Sequence, residues 1–277
     1  MIKLSFAKME GAGNDFMVVN CVDQSLNLTP EQISMLGNRK LGVGFDQLLM
    51  IENSTKKDID FFYKIYNADG TQAEQCGNGA RCLLLFLRDQ NLSEKKTVRI
   101  ATKNALMELM EEDNGLITVN MGIPEFEPSK IPILSANKEN WYELNVDNHV
   151  IKAGIVSMGN PHAVQFVSDI ESAKVSYQGP LIEKHPLFPR GCNAGFAEVK
   201  SRKSLSLRVW ERGSGETLAC GTGACAAAAI AISSGLVNSD VEVLTKGGTL
   251  FVKWPESDQP LWMTGPARMV FKGEVSL

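Results

Sequence analysis

The sequence predicts an α/β chain, β-rich in the manner of α+β proteins, built as two homologous halves with one central helix each. Three observations carry that reading. Short β-prone runs outnumber helical stretches, Cys76-Gly77-Asn78-Gly79-Ala80 recurs as Cys220-Gly221-Thr222-Gly223-Ala224, and Gly13-Asn14 recurs as Gly159-Asn160. The Cys motifs lie 144 residues apart and the Gly-Asn pairs 146, so the repeats are in register.

In the first half, Lys3–Met9 alternates polar with apolar residues, Asp15–Val19 is an apolar β-prone run, and Ile59–Tyr66 is rich in aromatics and isoleucine. Thr29, with Pro30 at the first helical position and Gln32 three residues after the Thr, forms a capping box for a helix expected to end near Lys40. A second helix is expected from about Gly79 to Gln90, then strands at Thr97–Ala101, Leu106–Met110 and Leu116–Met121. Pro124, Pro128 and Pro132 break the pattern, and the polar stretch Ser135–Asn140 reads as a boundary. The second half repeats the grammar with strands at His149–Ser157, Ala163–Val167, Phe196–Lys200 and Leu205–Trp210, an Ala-rich helix over Gly223–Ser234, and strands at Val241–Leu244 and Thr249–Trp254. The halves are taken as residues 1–120 and 121–265, with 266–277 returning to the first.

A chain of 277 residues and 30.3 kDa has room for two domains. Its 44% apolar and 22% charged residues are ordinary globular composition, which leaves disordered, collagenous and coiled-coil classes without support. A net charge of -4 argues against nucleic acid or an anionic membrane as the main partner. The first residues lack the apolar core of a signal peptide, and the apolar run from Ala224 to Ile232 is far short of a bilayer span, so a soluble cytoplasmic protein is expected. Six cysteines without C-x-x-C spacing, and three scattered histidines, give no disulfide scaffold and no metal site.

Cys76 and Cys220 stand at the openings of matching helices, where a packing account gives no reason to repeat a reactive side chain. A helix N-terminus favours thiolate over thiol, so both pKa values are expected to be lowered. The amides of Gly77, Asn78, Gly221 and Thr222 are orphan donors at the same helix starts and suit a carboxylate. Two such ends facing each other would clamp one carboxylate between two thiols, with the faces of its α-carbon presented to Cys76 and Cys220. That arrangement suits two-base inversion: a thiolate removes the α-proton from one face and a thiol returns one to the other, in a dry site with donors for the enediolate charge. Cys21, Cys82, Cys192 and Cys225 read as small buried hydrophobes. Arg81 reads as serving helix solvation or a domain salt bridge.

The blocks GAGNDF (Gly11–Phe16), YNADG (Tyr66–Gly70), QCGNGARC (Gln75–Cys82), MGNPH (Met158–His162) and WERGSGETLACGTGA (Trp210–Ala224) together resemble the diaminopimelate epimerase family over nearly the whole chain. The resemblance implies a cofactor-independent isomerase that interconverts LL- and meso-2,6-diaminopimelate in lysine and peptidoglycan-precursor synthesis. It also implies a site in the cleft between two pseudo-symmetric domains, and a homodimer. It makes Cys76 and Cys220 the acid/base pair and has Gly77, Asn78, Gly221 and Thr222 hold the reacting carboxylate. Asn14, Gln47, Asn67, Asn160, Asn193, Glu211 and Arg212 match the remaining substrate contacts, and His162 and Glu211 match residues that tune the thiols. A second amino-acid head needs a fixed cation, amides and an ammonium acceptor, which Arg212, the asparagines and Glu211 supply. Phe271 falls where some members carry tyrosine, which removes a hydroxyl from a segment the dimer could use. The alternatives are a two-cysteine racemase acting on proline, hydroxyproline or histidine, and a non-catalytic thiol-switch or amino-acid-binding protein.

Overall fold

The computed structural model describes residues 3–73, 76–103 and 105–277. The chain divides into two compact units, Met1–Val119 with Gly265–Leu277, and Asn120–Thr264.

The first unit contains β1 (Lys3–Gly11), β2 (Asn14–Asn20), α1 (Pro30–Gly37), β3 (Gln47–Asn53), β4 (Phe61–Asn67), β5 (Gln72–Ala73), α2 (Gly77–Asp89), β6 (Thr97–Ala101), β7 (Leu106–Glu111) and β8 (Ile117–Asn120). The second contains β9 (Tyr142–Val146), β10 (His149–Ser157), β11 (Pro161–Phe166), α3 (Val175–Glu183), β12 (Asn193–Ser201), β13 (Ser204–Glu211), β14 (Gly215–Thr217), α4 (Gly221–Ser233), β15 (Asp240–Thr245), β16 (Gly248–Lys253) and β17 (Trp262–Gly265). Last comes β18 (Arg268–Ser276), which runs antiparallel to β1.

The strand pairings of the two units correspond one to one. In the first, β1–β2 is antiparallel, β2–β3 parallel, β3–β4 and β4–β5 antiparallel, β4–β6 parallel, and β6–β7 and β7–β8 antiparallel. In the second, β10–β11, β11–β12, β12–β13, β13–β14, β13–β15, β15–β16 and β16–β17 follow the same sequence of senses. The correspondence extends to the edge: β9 lies antiparallel to β10 as β18 lies to β1. The repeated motifs are therefore the visible part of a duplicated topology.

Each unit wraps its sheet around one helix. α2 packs against β1, β2 and β18 from one end of the strand order and against β7 from the other, and α4 packs against β10 to β13 and against β15 and β16. All of Ala224–Ala231 is buried except for a trace of Ile230, so α4 is apolar on every face, as a helix enclosed by a sheet must be. A second apolar layer lies outside each sheet. Ile33 and Leu36 of α1 join Leu4, Met17, Leu48 and Met50 in the first unit, and Val175 and Ile182 of α3 join Ile155, Ala194 and Phe196 in the second.

Local chemistry explains most boundaries. Thr29 caps α1 with the expected reciprocal Gln32 box, but the helix stops at Gly37 because Asn38 is extended, three residues short of Lys40. α2 and α4 begin at Gly77 and Gly221, two residues earlier than expected, which makes the cysteines themselves the N-caps. Between β1 and β2, Ala12 and Gly13 have φ of 53° and 82°, the two left-handed residues of a tight hairpin that presents Asn14. Ser135–Asn140 is not a boundary: Ile131, Ile133 and Tyr142 on either side belong to the core of the second unit. No helix among the described residues is long and apolar enough to cross a membrane.

Candidate active site

In the first unit the site residues cluster at the N-terminus of α2. Cys76 is extended, and its Sγ accepts from the Gly79 amide at 3.4 Å, which places the sulfur on the positive end of the helix. The Cys76 thiol donates toward Asn14 Oδ1 at 3.6 Å. Gln47 sits level with Phe16 in the parallel β2–β3 pair and with Asn67 in the β3–β4 pair, and its Nε2 donates to Asn67 Oδ1 at 3.1 Å. Gln47 Oε1 is buried without a hydrogen-bond partner, an acceptor suited to an ammonium donor. Asn67 Nδ2 in turn donates to Thr71 Oγ1. Gln75, which opens the first Cys motif, lies outside the described residues.

Two further residues support this cluster that sequence reading did not single out or misjudged. Arg81 is wholly buried rather than solvating its helix: Nη2 donates to Asn78 Oδ1 at 2.9 Å and Nε to the Pro266 carbonyl at 3.0 Å. It thereby fixes the Asn78 carboxamide at the start of α2. Tyr63 on β4 is wholly buried beside Cys76, and burial, with the Cys76 sulfur second, pushes its phenol well above the usual range.

The second unit places its residues at the same topological positions. His162 sits level with Asn193 in the parallel β11–β12 pair, as Phe16 does with Gln47. Glu211 follows Trp210, the partner of Ala194, as Asn67 follows Tyr66, the partner of Leu48. His162 Nε2 donates to Asn160 Oδ1 at 3.1 Å, Asn160 Nδ2 donates to Thr222 Oγ1 at 3.4 Å, and Thr222 Oγ1 is 3.5 Å from Cys220 Sγ. Polar side chains thus run without a break from the imidazole to the thiol. His162 is wholly buried, and burial, with the Arg212 charge second, lowers its pKa to about 3, so the ring is neutral. A neutral ring that donates through Nε2 carries its lone pair on Nδ1, which has no hydrogen-bond partner.

Cys220 departs from the expectation of a lowered pKa. It is buried, and burial first and the Glu211 carboxylate second push its thiol well above the ordinary value. The Thr222 hydroxyl and Gly223 amide pull the other way without prevailing. Desolvation of a thiolate thus outweighs the helix terminus that the sequence reading relied on. Glu211 also accepts from Thr217 Oγ1 at 2.6 Å. Asn193 donates to the Pro161 carbonyl and accepts from the Arg212 amide at 3.0 Å, which fixes the turn that carries Arg212. The Arg212 guanidinium is exposed and donates to the Arg190 carbonyl. Cys21, Cys82, Cys192 and Cys225 are buried, and burial raises the first three.

A sequence model of the family described as diaminopimelate epimerase matches residues 6–127 and 154–270. The chain belongs to the diaminopimelate epimerase family. Among curated members, it is 50% identical to the diaminopimelate epimerase of Nitrosomonas europaea over 276 residues and to that of Laribacter hongkongensis over 278, with all of both chains covered in each case. Membership makes the protein an isomerase. Solved structures share its two-domain fold at low identity. A Bacillus anthracis protein of the phenazine-biosynthesis PhzF family has a TM-score of 0.70 at 16% identity, covering 100% of both chains. A hydroxyproline epimerase from Agrobacterium vitis, with bound trans-4-hydroxy-L-proline, has a TM-score of 0.70 at 13% identity, covering 99% of this chain and 93% of the other. The diaminopimelate epimerase relatives thus share half their residues with this chain over its whole length, and the imino-acid enzymes share its fold.

Proposed function

We propose that the protein interconverts LL- and meso-2,6-diaminopimelate by cofactor-independent proton transfer at the α-carbon, with Cys76 and Cys220 as the two acid/base residues. The observation that carries this reading is the matched pair of N-cap cysteines on the enclosed helices of two topologically identical units, in a chain half identical to curated diaminopimelate epimerases over its full length.

In this reading the two helix N-termini address one carboxylate through the amides of Gly77, Asn78, Gly221 and Thr222. A thiolate takes the α-hydrogen as a proton, the C–H electron pair moves into the carboxylate as an enediolate, and the opposing thiol protonates the other face. Thiol and thiolate have then exchanged places, so the reaction runs equally in reverse. Cys220, held protonated by burial and Glu211, is the donor at rest. Cys76, partly exposed with the Gly79 amide on its sulfur, takes the part of the base in that direction. Arg212 takes the distal carboxylate, Glu211 and the unpaired Gln47 Oε1 accept from ammonium groups, and Asn14, Asn67, Asn160 and Asn193 orient the chain between them. A cytoplasmic location and a homodimer complete the proposal.

The test is α-proton exchange. Reduced protein is incubated with LL-diaminopimelate in deuterated buffer and followed by NMR. Deuterium incorporation with formation of the meso isomer, reduced by about 100-fold or more in both Cys76→Ala and Cys220→Ala, is the expected result. A folded, reduced wild-type protein that leaves the α-hydrogen in place overturns the substrate assignment.

A further inference from the structure

We propose that Asp46 is a positioning residue that fixes the sense of the Asn14 carboxamide, so that its oxygen, and not its amino group, faces the Cys76 thiol. The inference rests on the reading of Cys76 as an acid/base residue.

Asn14 Nδ2 donates to Asp46 Oδ2 at 2.8 Å, and Asn14 Oδ1 faces Cys76 Sγ at 3.6 Å. A carboxylate can only accept, so the end of Asn14 next to Asp46 must be the amino group and the end next to the sulfur must be the oxygen. Asp46 is itself tightly held. Its Oδ2 also accepts from the Asp15 amide at 3.1 Å, its own amide donates to Asp15 Oδ1 at 2.9 Å, and Arg39 Nη2 reaches its Oδ1 at 2.7 Å. Arg39 forks onto both oxygens of Asp15, and Lys8, buried, closes the cluster against Asp15 and the Gly44 carbonyl. Two carboxylates and two cations thus lock one amide.

The second unit shows the opposite setting at the matching place. Asn160 gives its oxygen to His162 and its amino group to the Thr222 hydroxyl, which stands between it and Cys220. Where the first unit has Asp46 ahead of Gln47, the second has Cys192 ahead of Asn193, so the carboxylate at that position has no counterpart there. The Asn14 oxygen therefore meets its thiol directly, whereas Asn160 reaches Cys220 only through Thr222. An acceptor favours S–H and delays ionisation, and a donor does the reverse. Among the described residues, Tyr63 on β4 and Cys82 on α2 also feel the Cys76 sulfur, and Arg81 on α2 and Glu10 on β1 lie beside Cys82.

The experiment reads the pH dependence of iodoacetamide alkylation at Cys76 by peptide mass spectrometry, with Cys220 in the same digest as the reference. Asp46→Ala removes the acceptor and frees the Asn14 carboxamide to turn. The expected result is a Cys76 midpoint lower by about one pH unit, a roughly tenfold faster reaction below it, with Cys220 unmoved. In the Asn14→Ala background the same substitution is expected to move nothing further. A Cys76 midpoint unmoved in folded Asp46→Ala overturns the inference. So does an equal shift with Asn14 already removed, because Asp46 then acts by its own charge. Should Asp46→Ala not fold, Asn14→Ala alone is expected to lower the Cys76 midpoint, and an unmoved midpoint there is equally fatal. Alkylation needs no turnover, so a protein that fails the exchange test but shows this shift loses the proposed reaction and keeps the Asp46 arrangement.

Discussion

At the scale of single residues, the two cysteines share a position and differ in environment. The position was legible in the sequence because Cys-Gly-x-Gly-Ala occurs twice in register. The environment was not, because it is set by residues distant along the chain: Glu211 and Thr222 around Cys220, and Asn14, Tyr63 and Asp46 around Cys76. His162 shows the same division. Its place in the Met-Gly-Asn-Pro-His block marked it, but only the fold buries it. That burial has a measurable consequence. The imidazole titrates at about 3 in the folded protein against 6.5 when free, so the unfolded chain binds the proton first. Stability from this group is complete above about pH 6.5 and is lost as pH falls toward 3. Between pH 7 and 5 the expected loss is about 2 kcal/mol. His162→Gln, measured by urea unfolding at both pH values, is expected to lose correspondingly less between them than the wild type. Equal losses in the two proteins would show that His162 does not titrate with folding.

Among the elements, the two enclosed helices solve one packing problem with different side chains. α2 fills its sheet with Leu83, Leu84, Phe86 and Leu87, and α4 does so with an alanine run that lets strands approach the helix backbone. Gly154 on β10 marks how near they come, since a Cβ there would lie 2.4 Å from Ile230 Cγ2. Ala228→Leu at a fully buried position of α4 is therefore expected to cost about 1–3 kcal/mol in urea unfolding, with reduced packing order in the second unit. The elements missed in the sequence were missed for physical reasons. β3, as Gln47-Leu48-Leu49-Met50-Ile51, is buried on both faces and carries no period-two signal. α3 holds Gly179 and Pro180 mid-helix and reads as a loop; the glycine is there because a Cβ would come within 2.6 Å of Trp210. β9 alternates cleanly but follows the polar stretch that was read as a boundary.

At the scale of the whole chain, the duplication is complete once β18 and β9 are seen as equivalents. β9 joins β10 through Asp147 and Asn148, both at positive φ, in a tight hairpin, whereas β18 reaches β1 from the far end of the sequence. A chain ended at Gly265 would leave β1 an open edge and would remove the Pro266 carbonyl that Arg81 bonds. The first unit of such a truncation is expected to lose its cooperative unfolding transition while the second keeps its own, as monitored by hydrogen exchange. Protection surviving in β1 and α2 would mean that the strand is dispensable.

The late position of β18 also orders events on the ribosome. Everything the second unit requires has been synthesised by Thr264, but the first unit, whose opening strand was made at the start, still lacks its edge. The half of the molecule that is translated first is therefore the half completed last. Until β18 is made, β1 has an unpaired side that invites wrong partners.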